Sequence, residues 1–385
     1  MRSPEDELAE LEAASLRRHL RAVDSPQLAH TQVAGQSLSN FASNDYLGLA
    51  NHPHIKQAFI EATELWGTGS GASRLICGSL PPHRKLELYI ATSKGTEAAL
   101  VFANGYATSL GALSALLRKG DTVILDKLSH ASLIDGARLS GATLRVFPHN
   151  DLNKLSKILE QTFSKKSTDA RVLIVTESIF SMDGDHAPLA DIIALKQKFG
   201  ALLLVDEAHG LGILGPTGMG LAEQLDCAKG IDLQMGTLGK AAGVAGGYIA
   251  ATKPLIDLLT NKARSFIYST APPPSQSHAA LVALQLIRSP EGSKLRQKLW
   301  NNLQTFADAT QTPLPASAII PWHVGPSAQA LELSQTLQNT SALLVPAVRY
   351  PTVPRNTARL RITLTAAHST QDIQTLAAAL LHHTA

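Results

Sequence analysis

A lysine in a loop of small residues is the strongest chemical signal in the chain. Lys240 closes the segment Thr237–Lys240, directly after an apolar run, and a glycine-rich stretch follows at 243–247. Such a loop lets the backbone and a flat ligand approach closely. Burial lowers the pKa of a lysine and makes its neutral amine available to attack an aldehyde. Taken alone, this pattern is typical of a lysine in a surface loop. The other candidate site residues described below favour a lysine that forms a Schiff base.

An acidic residue and a histidine follow another apolar run. Asp206 comes directly after Ala201–Val205, and His209 stands three residues later. A carboxylate there can keep a pyridine nitrogen protonated, and an imidazole can donate to the phenolic oxygen of the same ring. Together with Lys240 they predict pyridoxal 5'-phosphate (PLP). The letters DEAH also match a helicase motif, but the sequence lacks the upstream phosphate loop that such enzymes need.

A phosphate site is predicted where a strand turns into a helix. The run Ala99–Phe102 leads through Gly105 and Tyr106 into a helical pattern. The first amides of a helix have no partner within it and bind phosphate well. Ser181 and Thr237, which lie near the ends of other apolar runs, could add hydroxyl contacts.

A second histidine lies in a similar position. His130 follows the run Thr122–Leu125 and stands between two serines. Its imidazole could stack on the face of the cofactor ring, so we predict it as a site residue.

Two arginines near the end of the chain could bind a carboxylate. Arg359 and Arg361 alternate with apolar residues, so both side chains project to one face of a predicted strand. A guanidinium group pairs with a carboxylate through two parallel hydrogen bonds. We predict Arg361 as the ligand of an amino-acid carboxylate and Arg359 as a solvated residue on an edge strand.

The pattern of predicted strands and helices that must position these residues indicates an α/β fold. Short apolar runs separated by helical patterns predict a mostly parallel sheet covered by helices on both faces. In such sheets ligands bind at the carboxyl ends of the strands, where Ser181, Asp206 and His209 are expected to face one crevice. The predicted strands are Ala99–Phe102, Thr122–Leu125, Leu144–Phe147, Val172–Thr176, Ala201–Val205, Leu233–Thr237 and Tyr248–Ala251.

The same patterns suggest three parts. Residues 1–52 form an N-terminal arm whose helix extends from Pro4 to about Ala22. Residues 53–289 form the large α/β domain, and residues 290–385 form a smaller α+β domain that ends in a strand at 359–364 and a helix at 370–382.

Composition narrows the class of partner. The formal charge is +3 and the basic residues are scattered, so neither nucleic acid nor a membrane is expected as a partner. The two cysteines have no metal-site spacing, and no metal is expected. The acidic opening segment does not resemble a signal peptide, so we expect a cytoplasmic protein that acts on small molecules.

Taken together, the motifs resemble those of the α-oxoamine synthase family of fold type I PLP enzymes. The resemblance covers nearly the whole chain. The segments that carry it are Ser43–Leu49, Gly69–Arg74, Ser129–Leu133, Phe180–Asp185, Asp206–Gly210, Thr237–Lys240, Pro351–Pro354 and Ala358–His368.

The resemblance implies roles for individual residues. It implies that Lys240 holds PLP, that Asp206 pairs with the pyridine nitrogen, that His209 meets the phenolic oxygen and that His130 stacks on the ring. Family members are homodimers with shared active sites. The resemblance also implies cofactor contacts by Gly105, Tyr106, Ser181 and Thr237. It implies that Ser269 and Thr270 reach the phosphate group of the PLP bound in the neighbouring subunit. Substrate contacts implied are Asn44, Arg17 or Arg18, His130, Arg349, Thr352 and Arg361.

The resemblance also implies a reaction, the decarboxylative condensation of an amino acid with an acyl thioester. The sequences of Ala208–Gly210 and Leu364–His368 resemble most closely those of the family's biotin-biosynthesis branch. Enzymes of that branch join L-alanine to a pimeloyl thioester. Sister enzymes that use glycine or serine remain an alternative, as does a non-catalytic PLP-binding scaffold. The acyl donor could be a coenzyme A thioester or an acyl carrier protein.

Overall fold

The computed structural model describes residues 3–384, which divide into two compact units. The sheet unit comprises residues 49–181 and 185–297. The terminal unit comprises the described residues up to 48, residues 182–184 and those from 298 onwards. The predicted division into domains at 1–52, 53–289 and 290–385 stays a prediction.

The strands are numbered in chain order. They are β1 (His30–Val33), β2 (Gln36–Asn40), β3 (Ala98–Phe102), β4 (Thr122–Asp126), β5 (Thr143–Phe147), β6 (Val172–Glu177), β7 (Leu202–Asp206), β8 (Leu233–Thr237), β9 (Gly247–Ala251), β10 (Ile319–Gly325), β11 (Leu343–Leu344), β12 (Ala347–Val348) and β13 (Ala358–Thr363).

The α-helices are numbered in the same way. They are α1 (Pro4–Ala13), α2 (Pro53–Trp66), α3 (Pro81–Lys94), α4 (Gly105–Leu116), α5 (Ala131–Ser140), α6 (Leu152–Phe163), α7 (Leu189–Phe199), α8 (Leu221–Gln224), α9 (Lys253–Lys262), α10 (Arg264–Ile267), α11 (Pro274–Arg288), α12 (Pro290–Thr310), α13 (Ser327–Ser341) and α14 (Thr370–Thr384).

The sheet unit is built on one mixed sheet. Its strand order is β3-β9-β8-β7-β6-β4-β5. Neighbouring strands from β8 through β7, β6 and β4 to β5 are parallel, whereas β9 is antiparallel to both β8 and β3. Each predicted strand of this sheet is confirmed to within one residue at either end. The predicted mostly parallel sheet is therefore confirmed.

The central strands of this sheet are buried on both faces. Every residue of β6 is buried, and Leu204 in the middle of β7 is completely inaccessible to solvent. Full burial of one such aliphatic side chain stabilises the fold by roughly 1.5–3 kcal/mol. The continuous apolar runs of the sequence reflect this two-sided cover, which parallel sheets require.

The apolar pattern stops at the carboxyl ends of four neighbouring parallel strands. Asp126, Glu177, Asp206 and Thr237 are the last residues of β4, β6, β7 and β8. In the register of the sheet Glu177 stands beside Asp206. The fold thus gathers polar side chains at one edge of an otherwise apolar layer, as expected for a ligand site in an α/β sheet.

The terminal unit contains two three-stranded sheets. One has the order β1-β2-β11 and the other β10-β13-β12. Because β13 is the middle strand of its sheet, the prediction of a solvated edge-strand Arg359 is wrong. Arg359 is 5% exposed, and its Nη1 lies 2.6 Å from Oδ1 of Asp183. A charge that is buried this deeply needs such a partner.

The N-terminal helix is shorter than predicted. Its start is well defined, because Ser3 and Asp6 form a reciprocal capping box around Pro4. The helix ends at Ala13, however, and not near Ala22, since Ser15 adopts a positive φ of 55° that an α-helix cannot include. No side chain of α1 is buried, so packing does not extend the helix further.

Within residues 3–384 we find no helix whose length and apolar character would let it cross a membrane.

Gly247 allows the start of α4 to approach β9. A Cβ atom on Gly247 would lie 2.3 Å from Oγ1 of Thr108 and 2.9 Å from the backbone of Asn104. Gly247→Ala should therefore displace the start of α4 and cost about 1–3 kcal/mol of stability. We expect a lower melting temperature by circular dichroism. In the control Gly69→Ala the added Cβ meets no atom within 4 Å. Equal melting temperatures for both variants would contradict this prediction.

Candidate active site

A pocket lies at the carboxyl edge of the parallel strands in the sheet unit. It brings together seven of the ten predicted cofactor residues, although they are spread over more than 130 positions of the sequence. The residues that line it are Gly105, Tyr106, His130, Ser132, Glu177, Asp206, Ala208, His209, Met235, Thr237 and Lys240.

Asp206 is placed by the end of β7 and held by its own turn. Its carboxylate is 5% exposed, and Oδ1 accepts a hydrogen bond of 2.9 Å from the backbone N–H of Ala208. Burial raises the pKa of Asp206, while the nearby Lys240 charge opposes that change. The backbone contact fixes the plane of the carboxylate, so Oδ2 has a defined direction toward a ligand.

Lys240 and His209 meet within the pocket. Nζ of Lys240 lies 2.6 Å from Nε2 of His209, which is within hydrogen-bonding distance. His209 is 4% exposed, whereas Lys240 is only half-buried and so less enclosed than predicted. An amine and an imidazole this close can exchange a proton directly.

His130 has a defined tautomer. Its Nδ1 accepts hydrogen bonds from the backbone N–H of Ser132 at 3.2 Å and from the Ser132 hydroxyl group at 2.8 Å. Burial lowers the pKa of His130, which favours the neutral ring. With Nδ1 acting as acceptor, the single ring proton of the neutral form must be on Nε2. His130 therefore offers an N–H donor to a ligand.

The start of α4 lies at another wall of the pocket. The helix begins at Gly105 after the N-cap Asn104, whose Oδ1 accepts from the backbone N–H of Ala107 at 2.8 Å. Gly105 lies against Thr237, because a Cβ atom on it would be 3.6 Å from Oγ1 of Thr237. Backbone amides and a hydroxyl group thus lie side by side, an arrangement that suits a phosphate group.

Four pocket residues were not predicted as site residues, namely Ser132, Glu177, Ala208 and Met235. Ala208 was part of a quoted motif, and Met235 lay within a predicted strand. Ser132 was quoted only as part of a motif, and Glu177 was not considered. Glu177 follows the predicted strand Val172–Thr176 just as Asp206 follows the next strand. The rule that found Asp206 would have found Glu177 if it had been applied to every strand.

Three predicted cofactor residues are not among the residues that line this pocket. Ser181 is 8% exposed and lies in the segment after β6. Ser269 and Thr270 follow α10, and Thr270 pairs with Ser73 through an isolated β-bridge. Their contacts with a cofactor stay predictions.

Apart from His130, the predicted substrate residues lie in the terminal unit, where two of them are linked through Tyr46. The Tyr46 hydroxyl group donates to Oδ1 of Asn44 at 3.3 Å and also interacts with Arg361. Burial raises the pKa of Tyr46 to about 12, although the Arg361 charge opposes this shift. Nη1 of Arg361 donates to Oγ1 of Thr363 at 3.0 Å. Tyr46 therefore connects Asn44 to Arg361.

A second group in the terminal unit brings Arg17 and Arg349 together. Nε of Arg349 donates to the carbonyl of Ser15 at 2.7 Å, and its Nη2 donates to the carbonyl of Arg17 at 3.0 Å. Burial lowers the pKa of Arg349, and the charge of Arg18 adds to the effect. The backbone N–H of Thr352 bonds to the carbonyl of Arg349. Both Arg17 and Arg18 are thus near Arg349.

The donor set of the pocket fits PLP. Helix N-terminal amides suit its phosphate, the Asp206 carboxylate suits its pyridine nitrogen, and the Lys240 amine suits its aldehyde. The neutral His130 ring and the side chains of Ala208 and Met235 supply surfaces for a flat ring.

Comparison with known proteins decides the family. The family model described as aminotransferase class I and II matches residues 36–380 of the chain. The chain belongs to the aminotransferase class I and II family. PLP is its cofactor and its fold is that of a fold type I PLP enzyme, as the sequence predicted.

Relatives within this family are similar over the full length. The chain is 46% identical to the 8-amino-7-oxononanoate synthase of Geobacter sulfurreducens, covering 98% of this chain and 97% of that protein. It is 43% identical to the enzyme of the same name from Methylococcus capsulatus, with 98% and 97% covered. The predicted resemblance is confirmed.

Solved structures of family members are also similar. Serine palmitoyltransferase from S. paucimobilis with a bound PLP–myriocin aldimine has a TM-score of 0.90 at 29% identity, covering 98% of this chain and 95% of that chain. The 8-amino-7-oxononanoate synthase of Francisella tularensis has a TM-score of 0.76 at 28% identity, covering 90% of this chain and 97% of that chain.

An ion cluster of three charged side chains, His149, Asp126 and Asp185, fixes the position of the segment after β6 that contains Ser181. Nδ1 of His149 lies 3.0 Å from Oδ1 of Asp126, and its Nε2 lies 2.7 Å from Oδ2 of Asp185. The Phe180 ring packs edge-on against His149. Burial opposes the charged imidazole, but the hydrogen bonds to Asp126 and Asp185 prevail and raise the pKa of His149 to about 10.

This cluster predicts a pH-dependent stability. The pKa of His149 is about 10 when folded and about 6.5 when unfolded. A raised folded pKa stabilises the fold fully below pH ~6.5 and progressively less as the pH rises to ~10. His149→Gln should remove that contribution. In urea unfolding, the stability difference between wild type and His149→Gln should therefore shrink from pH 6.5 to pH 10.

The exposed His54 provides the matched control. His54→Gln should run parallel to wild type across the same pH range. A His149→Gln curve that also runs parallel to wild type would show that the ion cluster does not contribute.

Proposed function

We propose that this chain catalyses the 8-amino-7-oxononanoate synthase reaction of biotin biosynthesis. It joins L-alanine to a pimeloyl thioester and gives 8-amino-7-oxononanoate, carbon dioxide and the free thiol. The main support is the convergence of Lys240, Asp206, His209 and His130 in one pocket of a chain that is 46% identical to a protein of that name.

The seven predicted cofactor residues of the pocket each have a part in the proposed reaction. When bound, PLP supplies an electron-withdrawing ring that stabilises negative charge at the α-carbon of an amino acid. Asp206, fixed by Ala208, binds the ring nitrogen through its carboxylate. Gly105 and Tyr106 would provide amides for the phosphate. The Thr237 hydroxyl group donates to the carbonyl of Gly246 at 3.0 Å in this structure and would turn to the phosphate when PLP binds. The His130 ring would stack on the ring of PLP, and its Nε2–H would be a donor for a bound substrate.

Lys240 handles the proton that leaves the α-carbon. Its Nζ accepts that proton as a neutral amine and returns it at the end of the reaction. Nε2 of His209, 2.6 Å away, orients the amine through a hydrogen bond. A base that is held by one partner has fewer positions from which to act, which favours transfer to a single carbon.

The terminal unit supplies the proposed carboxylate ligands. Arg361 is 6% exposed and held by Tyr46 and Thr363, so its guanidinium group has a fixed orientation, and we assign it to the L-alanine carboxylate. Asn44 shares the Tyr46 contact. A guanidinium whose orientation is fixed in advance loses little entropy when a carboxylate binds.

Arg349, Thr352 and either Arg17 or Arg18 are the proposed contacts of the acyl donor. Three guanidinium groups lie in this part of the terminal unit, and the charge of Arg18 acts on Arg349. Oε2 of Glu12 lies 3.6 Å from Nη1 of Arg17 and offsets part of this positive charge. A free distal carboxylate on the pimeloyl chain would suit the charge that remains. The thiol carrier is either coenzyme A or an acyl carrier protein.

A cytoplasmic homodimer with shared active sites is part of the proposal. The bridge between Ser73 and Thr270 joins two segments that carry apolar side chains, of which Ile76 is 79% and Tyr268 is 72% exposed. Large exposed apolar groups favour a partner surface. A second subunit would cover them and bring its Ser269 and Thr270 to the neighbouring phosphate.

A sister reaction with serine or glycine is the second candidate. It is favoured by the high structural similarity to serine palmitoyltransferase. The identity to that enzyme is 29%, against 46% to the synthase from Geobacter sulfurreducens. We therefore place the alanine reaction first.

Mass spectrometry of the products tests this choice. The PLP-loaded protein should form 8-amino-7-oxononanoate from L-alanine and pimeloyl-coenzyme A or pimeloyl-carrier protein. Because one methyl group in a pocket is worth roughly 1–3 kcal/mol, alanine should exceed glycine by about 10-fold or more in kcat/KM. Lys240→Ala should give no product. Preference for glycine or serine would select the sister reaction, and turnover by Lys240→Ala would contradict the assigned base.

A further inference from the structure

Glu177 is a buried acidic residue of the pocket that the proposed chemistry does not use. It is the last residue of β6, it is 2% exposed, and it lines the pocket. Its neighbour in the sheet is Asp206. A carboxyl group in such a place is costly unless a specific contact compensates for its burial.

The contact that compensates is with the backbone of His130. Oε1 of Glu177 accepts a hydrogen bond of 2.5 Å from the N–H of His130. His130 is the N-cap residue of α5. An acceptor at this position satisfies a donor next to the helix start and fixes where the helix begins. The bond therefore joins β6 to the residue that presents its ring to the pocket.

The ring of His130 is held separately, by Ser132. The Ser132 hydroxyl group and backbone N–H both bond to Nδ1, and Oγ of Ser109 lies 2.9 Å from Oγ of Ser132. Ser132 controls rotation of the imidazole, but it does not fix the Cα atom from which the ring projects. The carbonyl group of His130 is held within α5, where it accepts from the N–H of Leu133 at 2.9 Å. Glu177 constrains the other side of the residue through the His130 N–H.

We propose that Glu177 is a positioning residue for the PLP site, which fixes the backbone of His130 and thereby the placement of its imidazole against the cofactor. This proposal rests on the proposed role of His130 at the ring face. It assigns Glu177 no contact with a substrate and no proton transfer.

The required feature is an acceptor atom, not a charge. Burial, and then the charge of Asp206, raise the pKa of Glu177 to about 8. Lys240 and the His130 amide oppose that rise, and Asp126 adds to it. A carboxyl group accepts from the His130 amide through an oxygen whether or not it carries a proton. A glutamine at this position would keep the acceptor without the titration.

Three variants of Glu177 distinguish the effects of side-chain length, charge and hydrogen-bond acceptance. Glu177→Gln keeps the length and the acceptor, Glu177→Met keeps the length without an acceptor, and Glu177→Asp keeps the acid but is one methylene shorter. The main readout is the visible circular dichroism of bound PLP, which reports the asymmetric surroundings of the ring. PLP affinity, the separate effects on KM and kcat, and far-ultraviolet spectra are recorded alongside.

We expect Glu177→Gln to match wild type in visible dichroism and to bind PLP within about 3-fold. Glu177→Met should change the visible dichroism and weaken PLP binding by about 10-fold, because the His130 amide loses its buried partner. Glu177→Asp should behave like Glu177→Met, and it carries the test if the methionine variant does not fold.

Two results would overturn the proposal. Wild-type dichroism in Glu177→Asp and Glu177→Met would show that His130 is placed without Glu177. Equal loss of the signal in Glu177→Gln would show that the charge matters and not the acceptor. The dichroism needs no turnover, so a wild-type protein that binds PLP but makes no product from alanine would refute the proposed reaction and leave this test valid.

Discussion

The burial of the Asp206 carboxylate in a pocket that Lys240 also lines is the constraint on which the site depends. Burial disfavours the charge of Asp206, and Lys240 offsets part of that penalty. A buried carboxylate at the end of an apolar strand is costly without a counterpart. PLP suits such a pair, because it offers a basic ring nitrogen to the carboxylate and an aldehyde to the amine. The cost of burying the Asp206 carboxylate therefore favours a cofactor that offers it a basic nitrogen.

The register of the parallel strands determines which side chains lie together at the site. Parallel strands that end together place Glu177 beside Asp206, while the start of α4 brings its amides next to Thr237. The side chains then need only short-range contacts to acquire their orientation, such as Ala208 for Asp206 and Ser132 for His130. In the terminal unit, Tyr46 plays a comparable part for Arg361. Positioning by rigid elements and backbone contacts is what precise catalysis requires.

Much of the sheet and the centre of the pocket could be predicted from the sequence. Apolar runs of strand length give the strands, and residues that follow them lie at the carboxyl edge, which is how Asp206, His209 and Lys240 were found. Contacts between distant segments could not be predicted. The burial of Arg359 depends on Asp183, and the bonds from Arg349 to Ser15 and Arg17 join residues more than 300 positions apart. No local pattern records such pairs.

The central claim is that the Lys240 amine is the group that holds PLP. Borohydride reduction of the PLP-loaded protein, followed by proteolysis and mass spectrometry of the peptides, tests it most directly. Reduction makes the bond between PLP and its lysine permanent, so the label marks the attachment residue. We expect the cofactor mass on the peptide that contains Lys240, and its loss in Lys240→Ala. A label of equal yield on another lysine would contradict the account.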